Sequence, residues 1–86
     1  MKTFSFVIGK ECGLSGEQAA AICSAAERYN SRISFVHDGT TLPAESLIGL
    51  IALQAACGDE IGIIISGEDE QDAESGMREI LEKELA

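Results

Sequence analysis

Alternation governs the start of the chain. In Thr3–Ile8, Phe4, Phe6 and Ile8 share one face, and this period of two predicts a half-buried strand. Gly9–Gly13 follows as a loop. The period then lengthens: from Gly16 to Tyr29, residues Ala19, Ile22, Cys23 and Ala26 fall at i, i+3, i+4 and i+7, the stripe of a helix. Its Ala and Cys side chains are small enough to lie close to a sheet, and Tyr29-Asn30-Ser31 ends it. Ser15 and Gln18 have the spacing of a capping box before this run. The helix is therefore expected to start at Ser15 or Gly16. In that arrangement the Ser15 hydroxyl accepts from the N–H of residue 18, and the Gln18 side chain reaches back to the N–H of Ser15. The free N–H groups of such an end can hold an anion, phosphate included.

Arg32–Val36 returns to alternation, with Ile33 and Phe35 inward. Asp38-Gly39 is a hairpin signal leading into a short strand, Thr40–Leu42, which Pro43 stops. Ser46 and Gly58 are suited to cap a helix between them. Leu47, Leu50, Ile51 and Gln54 trace one stripe of it, but Ile48 and Leu53 lie off that stripe. A short helix apolar nearly all round cannot bury every side in a small domain, so part of Leu47, Ile48 and Ile51 is expected to stay exposed as a contact patch. Glu60–Ser66, with Ile61, Ile63, Ile64 and Ile65, is a β-branched run suited to a central strand. Ser66–Asp72 turns into a last helix, its carboxylates at the end the dipole favours. Along Asp72–Leu85 the stripe is Ala73, Met77, Ile80, Leu81 and Glu84. The order β-α-β-β-α-β-α predicts an α+β fold, a four-stranded, mostly antiparallel sheet with helices on one face.

Composition narrows the possibilities. Eighty-six residues with one Pro and no linker-like tract make a single domain, residues 1–86. With 45% apolar residues and no Trp, the core must be aliphatic. The net charge is −9 with only 6 Lys and Arg, none of them clustered. That disfavours nucleic acid and anionic membrane and favours a basic protein surface as partner. Cys12, Cys23 and Cys57 lack metal-ligand or disulfide-framework spacing and read as reduced thiols. Cys12 stands near the first helix start, where a thiol pKa can be lowered. The carboxylates from Glu68 to Asp72 read as a solvated helix start, and His37 as a surface residue at a strand end. No stretch could span a bilayer or serve as a signal peptide, so the expected location is cytoplasmic. No pattern asks for a metal or cofactor.

Three stretches carry a resemblance across the whole chain. They are Gly13-Leu14 opening the first helix, Ser46-Leu47-Ile48-Gly49 opening the second, and Ser66-Gly67-Glu68-Asp69-Glu70-Gln71-Asp72-Ala73 opening the last. Together they resemble the HPr family, the histidine-containing phosphocarriers of the bacterial sugar phosphotransferase system, whose fold is an open-faced β-sandwich. The resemblance implies that the family's phosphohistidine falls on Ser15, its Arg on Glu17 and its Pro on Gln18. An imidazole nitrogen carries phosphate as a labile phosphoramidate, whereas a serine ester is a poor donor. Serine without a neighbouring base is also a poor nucleophile. Glu17 adds repulsion where a guanidinium would clamp the phosphoryl oxygens.

Ser46 falls on the serine that a dedicated kinase phosphorylates in HPr of many Gram-positive bacteria, creating a form that binds a transcriptional regulator of carbon catabolite repression. The family also includes catabolite-repression HPr-like proteins that lack the active His and keep this serine. The resemblance therefore implies a non-enzymatic regulatory or protein-binding module that has lost His phosphocarrier activity. On this reading Ser46 is a regulatory phosphorylation site, and Leu14, Ser15, Leu47, Ile48 and Ile51 face a partner. That partner is a phosphotransferase-system component, an HPr kinase or a transcriptional regulator. Two alternatives stay open: a phosphocarrier using Ser15 as acceptor, and an interaction domain unrelated to sugar transport. The sequence does not fix the oligomeric state.

Overall fold

The structure, a computed structural model, describes residues 1–86. Strand β1 spans Lys2–Val7, α1 Gly16–Ala26, β2 Arg32–His37, β3 Thr40–Pro43, α2 Leu47–Ala52, β4 Glu60–Ser66 and α3 Glu70–Leu85. The sheet order is β1-β4-β2-β3, and all three pairings are antiparallel, where the sequence predicted mostly so. The isoleucine run of β4 takes the central place expected of it. One face is open: Thr3, Ser5 and Val7 alternate outward along β1. The other face carries Ile61, Ile63 and Ile65 of β4 with Ile33 and Phe35 of β2, all fully buried. The register places Phe4 and Phe6 of β1 opposite Ile63 and Ile61 on this face.

Helices α1 and α3 close the core with Ala19, Ile22 and Ala26 from one and Ala73, Met77, Leu81 and Leu85 from the other. Each fully buried aliphatic side chain contributes roughly 1.5–3 kcal/mol of transfer free energy. A two-residue turn joins β2 to β3, with Asp38 at φ 49° and Gly39 at φ 82°, the double left-handed geometry that matches strand twist. Pro43 is the last residue of β3, on a sheet edge where its missing N–H breaks no ladder.

Several boundaries move. Helix α1 stops at Ala26, and Arg28 and Tyr29 follow in tighter i→i−3 turns, their N–H groups bonding Ala25 and Ala26. Helix α3 starts at Glu70, two residues early. The large correction is α2, which ends at Ala52 and never reaches Gly58. Gln54 at φ 53° breaks the helical path, and Ala55 then presents its carbonyl to another loop. Leu53, off the expected stripe, is buried, while Gln54, on it, is exposed. No helix is long and apolar enough to cross a membrane.

Candidate functional site

The β1–α1 loop rests against the segment that follows α2. Leu14 N–H donates to the Ala55 carbonyl at 2.9 Å, and Gly13 adopts φ 64°. A Cβ at Gly13 would stand 2.5 Å from the Ala55 oxygen and 2.9 Å from Ala56 Cα, so only glycine fits this approach. Leu14, expected on the partner face, is instead 4% exposed and belongs to the core. Its burial anchors the loop and leaves the next residue, Ser15, at the surface end of α1.

Ser15 is the N-cap residue of α1 in extended backbone, but its hydroxyl caps nothing. The capping box is not formed. Ser15 N–H is already taken by the Gly13 carbonyl at 3.0 Å, and the Ser15 hydroxyl donates to Oε1 of Gln18. Gln18 is 7% exposed, so its side-chain carbonyl needs this local donor. Glu17 occupies the first turn of α1 and is exposed. The exposed Cys12 thiol lies 3.9 Å from the Ser15 oxygen. No imidazole or carboxylate is hydrogen-bonded to Ser15.

The chain's one imidazole is bonded to a carboxylate and not to Ser15. His37 Nε2 pairs with Asp59 Oδ2 at 3.1 Å, and Asp59 also accepts from Ala56 N–H at 2.9 Å. The Ala56 bond first, then His37, holds the Asp59 carboxyl below its usual range. The His37 side chain is only 15% exposed, so it is a paired, half-sheltered group and not the free surface residue expected. It lines a cavity of about 170 Å³ with Leu42, Gly49 and Leu53.

Ser46 behaves as its sequence position suggested. Its Oγ accepts from Gly49 N–H at 3.2 Å, a formed N-cap for α2. Beside it the apolar residues are open to solvent: Leu47 is 40% exposed, Ile48 82% and Ile51 43%, whereas Leu50 is buried. Glu45, immediately before Ser46, is exposed, and its carbonyl accepts from the Cys23 thiol at 3.0 Å, which ties α1 to the start of α2.

The carboxylates ahead of α3 are more engaged than a solvated helix start. Asp69 accepts from the Ser31 hydroxyl and from Asn30 N–H at 2.8 Å, bonds that lower its pKa in that order of weight. Glu70 accepts from the amino terminus at 2.8 Å and from Gly67 N–H at 3.2 Å, and its pKa is lowered too. Both are structural staples between elements distant in sequence, and no local pattern announces such partners. No group of three or more His, Cys, Asp and Glu side chains is arranged to hold a metal ion.

Comparison with known proteins bears on this geometry. The family pattern described as PTS HPr component phosphorylation site matches residues 2–83. The chain is 33% identical over 73 residues to phosphocarrier protein HPr of Treponema pallidum, covering 85% of this chain and 83% of that protein. It is 36% identical over 72 residues to HPr-like protein Crh of Halalkalibacterium halodurans, covering 84% and 86%. Among solved structures, HPr-C-His from Thermoanaerobacter tengcongensis superposes with a TM-score of 0.91 at 25% identity, over 98% of this chain and 94% of that one.

Proposed function

The chain belongs to the HPr family, and from that premise we propose that it is a regulatory, protein-binding member that has lost phosphocarrier chemistry. It binds a protein partner and catalyses no turnover, and it works in the cytoplasm alongside the sugar phosphotransferase system. The observation that carries this reading is the state of Ser15. Its hydroxyl is committed to the Gln18 carbonyl, and the one imidazole is paired with Asp59. A hydroxyl without a base is not activated for attack on a phosphoryl group. Glu17, exposed in the first turn, opposes the incoming anion.

Ser46 is the switch in this reading. Half-exposed and next to Leu47, Ile48 and Ile51, it lies where a phosphate would add about −1.5 to −2 charge to an apolar docking patch. The modification converts a surface suited to an aliphatic contact into one that recruits a cationic partner. The test is incubation with an HPr kinase and labelled ATP, on the wild type and on Ser46→Ala. Label is expected on the wild type and absent from the variant. A wild type that takes no label, or a variant that takes as much, contradicts the switch.

A further inference from the structure

A cleft of about 380 Å³ lies between α3 and the residues where α1 ends. Its α3 wall is Gly76, Glu79, Ile80 and Lys83, spaced i, i+3, i+4 and i+7 along one helix face. Ala25, Arg28 and Tyr29 form the other wall. Of the cavities in the molecule it alone is lined by two of the chain's few cations. The Tyr29 phenol rests on α3 itself, since a Cβ on Gly76 would overlap its hydroxyl. A helix interior ordinarily disfavours glycine, and room for this ring is what Gly76 provides. Tyr29 is partly buried against the core, yet its hydroxyl bonds to no other group of the protein. Arg28 and Lys83 are exposed and take part in no ion pair, although Glu79 precedes Lys83 at the spacing that favours one. Arg78, by contrast, is held by Glu74 at 3.2 Å and lies over the Phe4 ring.

We propose that this cleft is a binding site for a small phosphomonoester, with Arg28, Lys83 and Tyr29 as its donors. A guanidinium fork, an ammonium and a phenol are three donors on two elements, and a phosphoryl group presents three oxygens where a carboxylate presents two. The bound oxyanion supplies the partner that the half-sheltered phenol lacks within the protein. Ala25, Ile80 and the Tyr29 ring give the body of the ligand an apolar wall. Glu79 is the one carboxylate on the rim. It opposes a bare phosphate ion and accepts from a hydroxyl on the body of an ester, so the site selects an ester that carries hydroxyl groups over the free ion. The net charge of −9 repels anions from the molecule as a whole, which leaves paired cations in a cleft as the place where one is held. Occupancy of the cleft does not require phosphorylation at Ser46.

The test is a titration of the full chain followed by amide NMR, with glycerol phosphate, inorganic phosphate, glycerol and sodium chloride at matched ionic strength. Glycerol phosphate is expected to give saturable shifts centred on Arg28, Tyr29, Gly76 and Ile80. Inorganic phosphate should act at the same residues with a higher Kd, and glycerol and chloride should move none of them. Arg28→Gln and Lys83→Gln, both at exposed positions, should each raise the Kd for glycerol phosphate about tenfold. Tyr29→Phe keeps the ring on Gly76 and should raise it about threefold. Glu79→Gln should tighten inorganic phosphate and narrow its gap to the ester. Shifts that chloride reproduces, that fail to saturate or that centre on other residues would overturn the proposal. So would a Kd indifferent to Arg28→Gln and Lys83→Gln, or equal affinity for the ester and the free ion.

Discussion

Helices α1 and α2 both follow a serine in extended backbone, Ser15 at ψ 178° and Ser46 at ψ 98°, and yet the two hydroxyls do opposite things. Ser46 accepts from a backbone N–H and stands beside exposed aliphatics. Ser15 donates to a side chain and stands over a buried leucine. Burial of the neighbouring side chain is what separates them. Gln18, three residues after Ser15, is buried and takes the hydroxyl for itself. Gly49, three residues after Ser46, has no side chain to compete, and a Cβ there would come within 2.8 Å of the Ser46 oxygen. The same residue type is thus an occupied donor in one loop and an ordinary cap in the other.

The largest effect should fall on the support of the Ser15 loop. Gly13→Ala forces a left-handed alanine into the Ala55 carbonyl and is expected to cost about 3 kcal/mol, read as a lower urea midpoint at unchanged slope. A loss below ~1 kcal/mol would mean that the approach of the β1–α1 loop to Ala55 and Ala56 is loose.

Next comes the caps themselves. Ser46→Ala should cost about 1 kcal/mol and speed exchange of the Gly49 amide. The cost of Ser15→Ala should shrink in a Gln18→Ala background, giving a coupling of roughly 0.5–1.5 kcal/mol in a double-mutant cycle. Zero coupling would restore Ser15 to the role of a plain backbone cap.

The smallest effect is on pH. Asp59 is lowered from its ordinary 3.8, so its contribution is complete above that value and fades as pH falls through the lower folded one. Acid should therefore release the Ala56 amide, next to the Ser15 loop, while Asp59→Asn removes that pH dependence. Amide exchange followed from pH 5 to pH 2 provides the check, and an Ala56 amide indifferent to Asp59→Asn would contradict the assignment.

The strands were legible in the sequence because their periods are unambiguous. The isoleucines of β4, the alternation of β1 and the Asp38-Gly39 turn each state one conformation. Helix α2 was not, because Ala55, Ala56 and Leu53 are as compatible with a longer helix as with the observed turn. What ends it is contact with Gly13 and Leu14, far away in sequence. The exposure of Ile48 followed from counting faces, and the burial of Leu14 could not be seen without knowing what covers the loop. The His37–Asp59 and Ser31–Asp69 pairs join residues with no local spacing rule and left no trace in the pattern.

The contrast between the two serines comes to its sharpest test in one reaction: incubation of the wild type with phosphoenolpyruvate and enzyme I, followed by assay for acid-labile phosphate. The expected result is none, since Ser15 has neither the nitrogen nor a base to accept the group. Acid-labile phosphate on the protein, at His37 or elsewhere, would show that phosphoryl transfer survives and that the loss of carrier chemistry is wrong.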